Sequence, residues 1–252
     1  MILVKVLKKA LSLVELLAKS ENGERITDLG NTLALDKATI YRLLKTLKDE
    51  GYVSQEKDTG RYALSAKFWY IGSQTVGRRT LAEIARPVMK SVSAASGNTV
   101  YVALLIGHEA VIFDKVEVEH PYRAPPTVGA ALPLYAGASG KAILAYQSDA
   151  FIAEIAKAIT PLTPHTLADE PSLRADIERT RAAGFAINHQ ELRLGVSGVA
   201  APIRFSDGEV RASIAMSGMS ESIEPKIAEW STALLAAARE ITERLGGAQK
   251  PF

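Results

Sequence analysis

The sequence contains no cysteine among its 252 residues. Disulfide bonds, thiolate nucleophiles and cysteine-ligated zinc or iron–sulfur centres are therefore excluded. Histidine is scarce, and the few histidines lie far apart, without a pair four residues apart or an acidic partner at ligand spacing: His108, His120, His165 and His189. We accordingly expect neither a metal site nor a cofactor.

Long apolar runs are missing as well. The uncharged stretches fall far short of the roughly 20 residues that span a bilayer, and the amino terminus MILVKVLKK lacks the order of regions that marks a signal peptide. We expect a cytoplasmic protein without membrane contact. A hydrophobic content of 47% against 23% charged residues is typical of a globular chain, and the length allows two domains.

A large excess of one charge is also absent, since the net charge is only +2. The small positive excess is unevenly distributed along the sequence. Residues 1–77 contain 12 Lys and Arg against 9 Asp and Glu, which leaves 18 against 19 for the remainder. A modestly basic amino-terminal third is compatible with a nucleic-acid-binding module attached to a domain of another kind.

Residues 26–52, ITDLGNTLALDKATIYRLLKTLKDEGY, have the pattern of two short amphipathic helices joined by a tight turn. The second helix gathers its apolar residues on one stripe: Ile40, Leu43, Leu44 and Leu47. Asp36 suits the amino-terminal cap of this helix, and Gly51 suits the left-handed residue after its end. Thr27 is the expected cap of the preceding helix.

The opposite face of the second helix carries basic, hydroxyl and phenol groups: Lys37, Thr39, Tyr41, Arg42, Lys45 and Thr46. Such groups suit the major groove of DNA, where they reach phosphates and base edges. A solvated surface helix is the plainer alternative for one isolated helix. The following residues favour DNA, because 52–64 predict two short strands around a polar turn, a wing with Lys57 and Arg61 near its tip.

The flanking segments complete the amino-terminal half. A first helix over 4–20 carries an apolar stripe that we expect in the core: Val6, Leu7, Ala10, Leu11, Val14 and Leu17. Residues 65–79 predict a linker helix. We therefore place a winged helix-turn-helix domain at 1–64 and a linker at 65–79.

Residues 80–252 predict a second domain with five or six strands and helices at both ends. The pattern includes a strand over 131–135, a helix over 141–146 and a final helix over 224–245. Short turns between neighbouring strand patterns, such as Asp207-Gly208, indicate hairpins. The predicted fold class is α+β, with a mainly antiparallel sheet.

The run GASGK at 137–141 invites two catalytic interpretations and fits neither. A phosphate-binding P-loop requires glycine where Tyr135 stands and Ser or Thr where Ala142 stands. A nucleophile elbow requires glycine in place of Lys141. The run instead predicts free backbone N–H groups at a helix start, which suit a small anion or the polar head of a ligand.

Several motifs together resemble the IclR family of bacterial transcription regulators. In the helix-turn-helix the matching residues are Ile26, Asp28, Leu29, Leu35, Lys37, Thr39, Arg42, Leu43, Leu44, Thr46, Leu47, Gly51, Tyr52 and Val53. The second half is similar through LPLYAGASGKAIL at 132–144, Gly184-Phe185, Glu191 and GVSGVAAPI at 195–203. The resemblance implies a GAF-like effector domain and a homodimer, or a dimer of dimers, on a near-palindromic operator in double-stranded DNA.

The sequence departs from the family pattern at several positions. Gly30, Ala34 and Ala38 stand where the family usually has Ala, Gly and Ser. In the effector domain, Asn188 and Gly198 stand where the family often has Asp and Cys in the wall of the ligand pocket.

These two changes in the pocket wall suggest the class of effector. An amide in place of a carboxylate removes repulsion toward an acid, and a glycine in place of cysteine predicts a roomier cavity, which Gly198→Leu would fill. We therefore expect an aromatic or similarly bulky organic acid. The predicted contacts are Tyr101, Tyr122, Ala124, Leu132, Ala138, Ser139, Asn188 and Gly198. Ordinary half-buried positions are the alternative for the two tyrosines.

The predicted function is a DNA-binding transcription regulator controlled by a small organic acid, and not an enzyme. A hydrolase-like enzyme fused to a DNA-binding module is the alternative, with Ser139, Asn188 or Glu191 as its candidate groups. An RNA-binding winged helix is disfavoured, because no aromatic stacking platform accompanies the basic face.

Overall fold

The structure is a computed structural model that describes residues 4–20, 22–68, 70–71, 81–118 and 127–246. The chain divides into two compact units, Met1–Arg78 and Arg79–Phe252. Most of the predicted linker helix lies outside the described residues, as do Tyr122 and Ala124, two of the predicted effector contacts. Within the described ranges, every helix is too short or too polar to traverse a bilayer.

The first unit contains three helices and a two-stranded wing: α1 (Lys5–Ala18), α2 (Ile26–Leu33), α3 (Lys37–Asp49), β1 (Val53–Gln55) and β2 (Tyr62–Leu64). The two strands pair antiparallel, with Val53 opposite Leu64, so the predicted wing is confirmed. All five elements contribute apolar side chains to one core: Leu13, Leu17, Leu29, Ile40, Leu44, Val53 and Tyr62.

The ends of α3 lie where the sequence places them. The Asp36 carboxylate accepts from the Thr39 N–H at 2.8 Å, and Gly51 follows the helix with a φ of +75°. The Thr27 cap is wrong, because Arg25 occupies the capping position of α2 without a side-chain hydrogen bond. An antiparallel bridge between Glu24 and Tyr62 keeps the chain extended up to Arg25, so Thr27 already lies inside the helix.

The apolar stripe of α1 is only partly in the core. Leu13 and Leu17 are buried, but Val6, Leu7 and Leu11 are 61%, 56% and 54% exposed. The prediction of a fully buried stripe is therefore wrong. Periodicity finds an apolar face but does not show what covers it.

The second unit is built on a six-stranded sheet: β3 (Val100–Ile106), β4 (Glu109–Val116), β5 (Ala131–Pro133), β6 (Ala186–His189), β7 (Val196–Arg204) and β8 (Val210–Met219). The strand order is β5-β4-β3-β8-β7-β6, and all neighbouring strands run antiparallel. The predicted α+β class with an antiparallel sheet is confirmed.

The helices of this unit lie on both faces of the sheet: α4 (Leu81–Ser96), α5 (Ala138–Leu144), α6 (Asp149–Ala156), α7 (Glu170–Ala183), α8 (Ser220–Ile223) and α9 (Ile227–Arg244). On one face, Val199 and Ile203 of β7 pack into a core with α4 and α9. On the other face, Ala200 packs with Ala138 and Ala142 of α5. The two-residue period of the strand thus gives β7 two buried sides.

Among the boundaries that differ from the prediction are those of α5, β5 and α9. Helix α5 begins at Ala138 rather than at residue 141, because the carboxylate of Glu191, distant in sequence, accepts from the Gly137 N–H just before the helix. Strand β5 ends at Pro133 rather than at residue 135. Helix α9 begins at Ile227, since α8 and a 3₁₀ turn at Glu224–Lys226 precede it.

Candidate functional site

A cavity of about 500 Å³ lies between the sheet and the start of α5 in the second unit. Small-molecule sites commonly have volumes of roughly 300–1,000 Å³. Six of the predicted effector contacts line this cavity: Tyr101, Leu132, Ala138, Ser139, Asn188 and Gly198. The fold therefore brings these residues together, and their contact with a ligand remains a prediction.

The polar wall of the cavity centres on Tyr101. Its ring is buried, and the Ser139 hydroxyl donates to its phenol oxygen at 3.3 Å. Burial raises the pKa of Tyr101, partly offset by hydrogen bonds with Ser139 and Ser217. The phenol therefore stays protonated at neutral pH and retains an O–H donor.

Asn188 is buried in the wall, where it joins the two ends of a loop. Its Oδ1 accepts from the Glu191 N–H at 2.9 Å, and its Nδ2 donates to the Val196 carbonyl at 3.2 Å. The sequence suggested only a ligand contact at this position. Because an amide has two N–H donors, one N–H still remains for a ligand.

Gly198 does not provide the space that the sequence suggested. A Cβ at this position would lie 2.8 Å from the Met216 carbonyl oxygen and 3.3 Å from the Ser217 Cβ. Gly198 pairs with Asn188 on one side and with Ser217 on the other. The glycine therefore permits a close approach of strands, and the expectation that Gly198→Leu would simply fill the cavity is wrong.

A buried ion-pair network lies beside the cavity. Lys141 is fully buried, and its Nζ lies 2.5 Å from Glu191 Oε1 and 2.9 Å from Asp176 Oδ2. The other carboxylate oxygen, Oε2 of Glu191, accepts from the Gly137 N–H at 2.9 Å. The prediction that the helix start offers free N–H groups is therefore wrong at Gly137. Pattern reasoning missed the network because Asp176 and Glu191 lie 35 and 50 residues after Lys141 in the sequence.

The lining also contains residues that sequence reasoning missed, among them Ile112, Leu192, Arg193 and Ser217. Arg193 lies in the loop 190–195 between β6 and β7 and is exposed at the edge of the cavity. A signal was present, because this loop directly joins the two strands that carry Asn188 and Gly198. Among the residues described, no group of three His, Asp or Glu side chains is placed to bind a metal.

The exposed face of α3 in the first unit carries the predicted DNA contacts. The exposed members are Lys37, Tyr41, Arg42, Lys45 and Thr46. Thr39 is half-buried, and its hydroxyl donates to Asp36 Oδ2 at 2.6 Å. These hydrogen bonds lower the pKa of Asp36, so this carboxylate caps the helix across the neutral range.

The wing places its two predicted contacts differently. Lys57 is exposed near the turn between β1 and β2. Arg61 is half-buried, and its guanidinium donates to the Gly23 carbonyl at 2.8 Å. One end of the Arg61 guanidinium is therefore engaged in a hydrogen bond within the first unit.

Comparison with known proteins adds the family. Residues 6–57 match the model of the IclR helix-turn-helix domain, and residues 73–243 match that of the bacterial transcriptional regulator IclR C-terminal domain. The chain belongs to the IclR family. It is thus a DNA-binding transcriptional regulator, and the resemblance of its sequence motifs to this family is confirmed.

Individual IclR-family members align along almost the whole chain. The transcriptional repressor IclR of Escherichia coli is 32% identical over 249 residues, covering 97% of this chain and 91% of that protein. The crystal structure of Thermotoga maritima IclR has a TM-score of 0.68 at 29% identity, covering 97% and 100% of the two chains. An IclR homologue from Microbacterium hydrocarbonoxydans, complexed with 4-hydroxybenzoate, has a TM-score of 0.81 at 22% identity, covering 95% and 98%.

The IclR assignment gives no support to the enzyme alternative. The family models describe transcriptional regulators, and the Escherichia coli relative is a repressor. The three candidate catalytic groups also have structural partners: Ser139 bonds to Tyr101, Asn188 closes its loop, and Glu191 pairs with Lys141.

Proposed function

We propose that this chain is a ligand-responsive repressor whose cavity in the second unit binds a small organic acid, with an aromatic acid as the preferred class. The observation that carries the proposal is the cavity itself, which gathers Tyr101, Ser139 and Asn188 beside apolar Leu132 and Leu192. Apolar walls with a few converging polar groups are typical of small-molecule sites. The homologue that holds 4-hydroxybenzoate supports an aromatic acid.

DNA contact is assigned to α3 and the wing. The groups proposed to reach DNA are Lys37, Thr39, Tyr41, Arg42, Lys45, Thr46, Lys57 and Arg61. Their basic and hydroxyl groups are suited to phosphates and base edges. We place the DNA-binding domain at 1–64, the linker at 65–79 and the effector domain at 80–252. A protein that reads bacterial chromosomal DNA acts in the cytoplasm.

Self-association is the third part of the proposal. One winged helix offers too little surface for a tight specific complex, and paired readers bind half-sites about one helical turn apart. The exposed Leu7 and Leu11 lie one turn apart on α1 and form an apolar strip that a second copy can cover. We therefore propose a homodimer, or a dimer of dimers, on a near-palindromic operator.

The effector can act only through different affinities for two arrangements of the paired DNA-binding domains. An acid that prefers the arrangement with unsuitable half-site spacing releases the operator. The same coupling requires that operator DNA weaken binding of the acid by an equal factor.

The test is a footprint on the DNA that flanks the chain's own gene, followed by an anisotropy titration of the protected segment. Benzoate, 4-hydroxybenzoate, pyruvate and glyoxylate are added separately. We expect a near-palindromic footprint and a weaker complex in the presence of an aromatic acid. A footprint that no acid alters would contradict the effector assignment, and tighter binding of pyruvate or glyoxylate would contradict the aromatic class. The double variant Arg42→Ala/Lys45→Ala serves as the control for specific DNA contact.

A further inference from the structure

The cavity lining contains a positively charged residue, Arg193, to which the sequence motifs assign no role. We propose that Arg193 recognises the carboxylate of the effector and restricts the site to acids with a single negative charge. This inference rests on the proposed function, because it concerns the same cavity. It names the residue that selects the ligand and the charge that the ligand carries.

Arg193 is the one formally charged residue among the described residues that line the cavity. It is an exposed residue, and its guanidinium forms no hydrogen bond or ion pair within the described part of the chain. The nearest carboxylate in its own loop, that of Glu191, is occupied by the Lys141 ammonium and the Gly137 N–H. The positive charge at the cavity is therefore not neutralised by these groups.

The loop that carries Arg193 is held in place at several points. The Gln190 side chain accepts from the Gly195 N–H at 2.8 Å, and the Thr166 hydroxyl donates to the Glu191 carbonyl at 2.7 Å. Asn188 binds both ends of the same segment. The backbone of Arg193 is thus fixed, which lowers the conformational entropy that binding of a ligand would cost.

Neighbouring packing fixes the same loop against α5. A Cβ at Gly137 would overlap with Leu192 Cδ1, so the Leu192 side chain packs directly on the glycine. Leu192 and Arg193 both line the cavity. The loop therefore supplies an apolar wall and a cation from adjacent residues, a pairing suited to an organic acid.

The charge balance indicates a monoanion. The other polar side chains in the described lining include Tyr101, Ser139, Asn188 and Ser217, which are neutral donors or acceptors. One guanidinium compensates one carboxylate in a planar, two-point contact. A dicarboxylate or a phosphate dianion would leave one charge without a partner in a partly desolvated site, which is unfavourable.

The experiment compares acids with their neutral amides. Full-length protein is titrated by calorimetry with benzoate and benzamide, phenylacetate and phenylacetamide, and pyruvate and pyruvamide. Phthalate and phenyl phosphate represent dianions. For the wild type we expect at least one acid to bind about 10- to 100-fold more tightly than its amide, in line with one charge-assisted hydrogen-bond pair. We expect the dianions to bind more weakly than that acid.

Three variants decide the role of Arg193. Arg193→Gln should remove the preference for acid over amide while binding of the amide is retained, and Arg193→Lys should restore part of the preference. Arg239→Gln is the matched control, because Arg239 is an exposed arginine of α9 outside the cavity lining. It should behave as the wild type does. A purely structural role of Arg193 would weaken acid and amide equally.

Several outcomes would overturn the inference. It fails if Arg193→Gln keeps the acid preference, if amides bind the wild type as tightly as acids, if the dianions bind best, or if no acid of the panel binds. Operator binding without ligand is measured in parallel for every variant. If Arg193→Gln leaves the preference for acid over amide unchanged while the wild type binds its operator, the inference about Arg193 is refuted and the proposed function is not. If the wild type binds no operator DNA, the proposed function itself is refuted.

Discussion

Lys141 shows how a single residue can carry both stability and site geometry. Its ammonium is fully buried between Glu191 and Asp176, and Glu191 in turn fixes the start of α5 beside the cavity. A buried charge is tolerated only when it is paired. The pair therefore links the loop 190–195 to α5, whose first residues line the cavity.

Replacement of Lys141 by Met should destabilise the second unit strongly. The change leaves the buried Glu191 carboxylate without its cation, which costs about 3–5 kcal/mol in the free energy of unfolding. Urea denaturation followed by circular dichroism measures this loss. Arg174→Met is the matched control, since Arg174 pairs with Glu170 on the surface of α7 and should leave the midpoint unchanged. Equal midpoints for the two variants would contradict the role given to Lys141.

Arg42 and Lys45, the exposed cations in the middle of α3, are expected to contribute directly to operator binding. Arg42→Ala or Lys45→Ala should each weaken operator binding by about 1–3 kcal/mol if the side chain reads a base, or reduce the salt slope by about 1 if it contacts a phosphate. Anisotropy titrations at several salt concentrations separate the two cases. Lys157→Ala, an exposed lysine in the second unit, should change neither quantity. Wild-type affinity and slope in both α3 variants would show that this helix does not face the groove.

The fold gathers Tyr101, Ser139 and Asn188 around one cavity, and their contact with a ligand remains a prediction. The sequence indicated Asn188 through the family resemblance and Ser139 through the run of small residues at a helix start. Arg193 was missed because loops lack periodicity. The Lys141–Glu191 pair was missed because spacing says nothing about contacts between distant segments.

At the scale of elements, α2 ends in a conformation that its sequence does not favour. Ala34 follows α2 with a φ of +51°, in the left-handed region where glycine is usual. The family pattern has glycine at this position, and this chain does not. The turn before α3 therefore contains local strain.

Substitution of glycine for Ala34 should relieve this strain. We expect Ala34→Gly to raise the free energy of unfolding of the first unit by about 0.5–1 kcal/mol, after the extra flexibility of glycine in the unfolded chain is included. Ala10→Gly is the matched control, because Ala10 lies in the middle of α1, where the same change should destabilise by about 1 kcal/mol. Thermal denaturation of both variants should give shifts of opposite sign. Shifts of the same sign would refute the strain at Ala34.

Element boundaries were predictable where the signal was local. The cap at Asp36 and the glycine after α3 are encoded within a few residues of the helix. The start of α5 was not predictable in this way, because Glu191 supplies the acceptor from another part of the chain. The Thr27 cap failed for a similar reason, since the bridge between Glu24 and Tyr62 sets the entry to α2.

At the scale of the whole molecule, assembly is argued from the apolar side chains of α1, among which Leu11 is 54% exposed within the described part of the chain. Leu11→Lys should convert the proposed dimer into monomers and weaken operator binding at least about tenfold, because two half-sites are then no longer bound by one particle. Light scattering and anisotropy measure the two effects. Leu162→Lys, at a leucine that is 48% exposed in the second unit, is the control. A Leu11→Lys variant that remains dimeric would place the interface elsewhere.

The hydrogen-bonded frame around the cavity also limits how the ligand preference of this protein can change during evolution. Asn188, Glu191 and Lys141 hold the loop and α5 together, so a substitution at any of them changes the hydrogen bonds of this frame along with the site. Arg193 and Leu132 line the same cavity without a side-chain bond to that frame. Descendants of this chain that acquire another effector are therefore expected to differ first at cavity-lining positions such as Arg193 and Leu132.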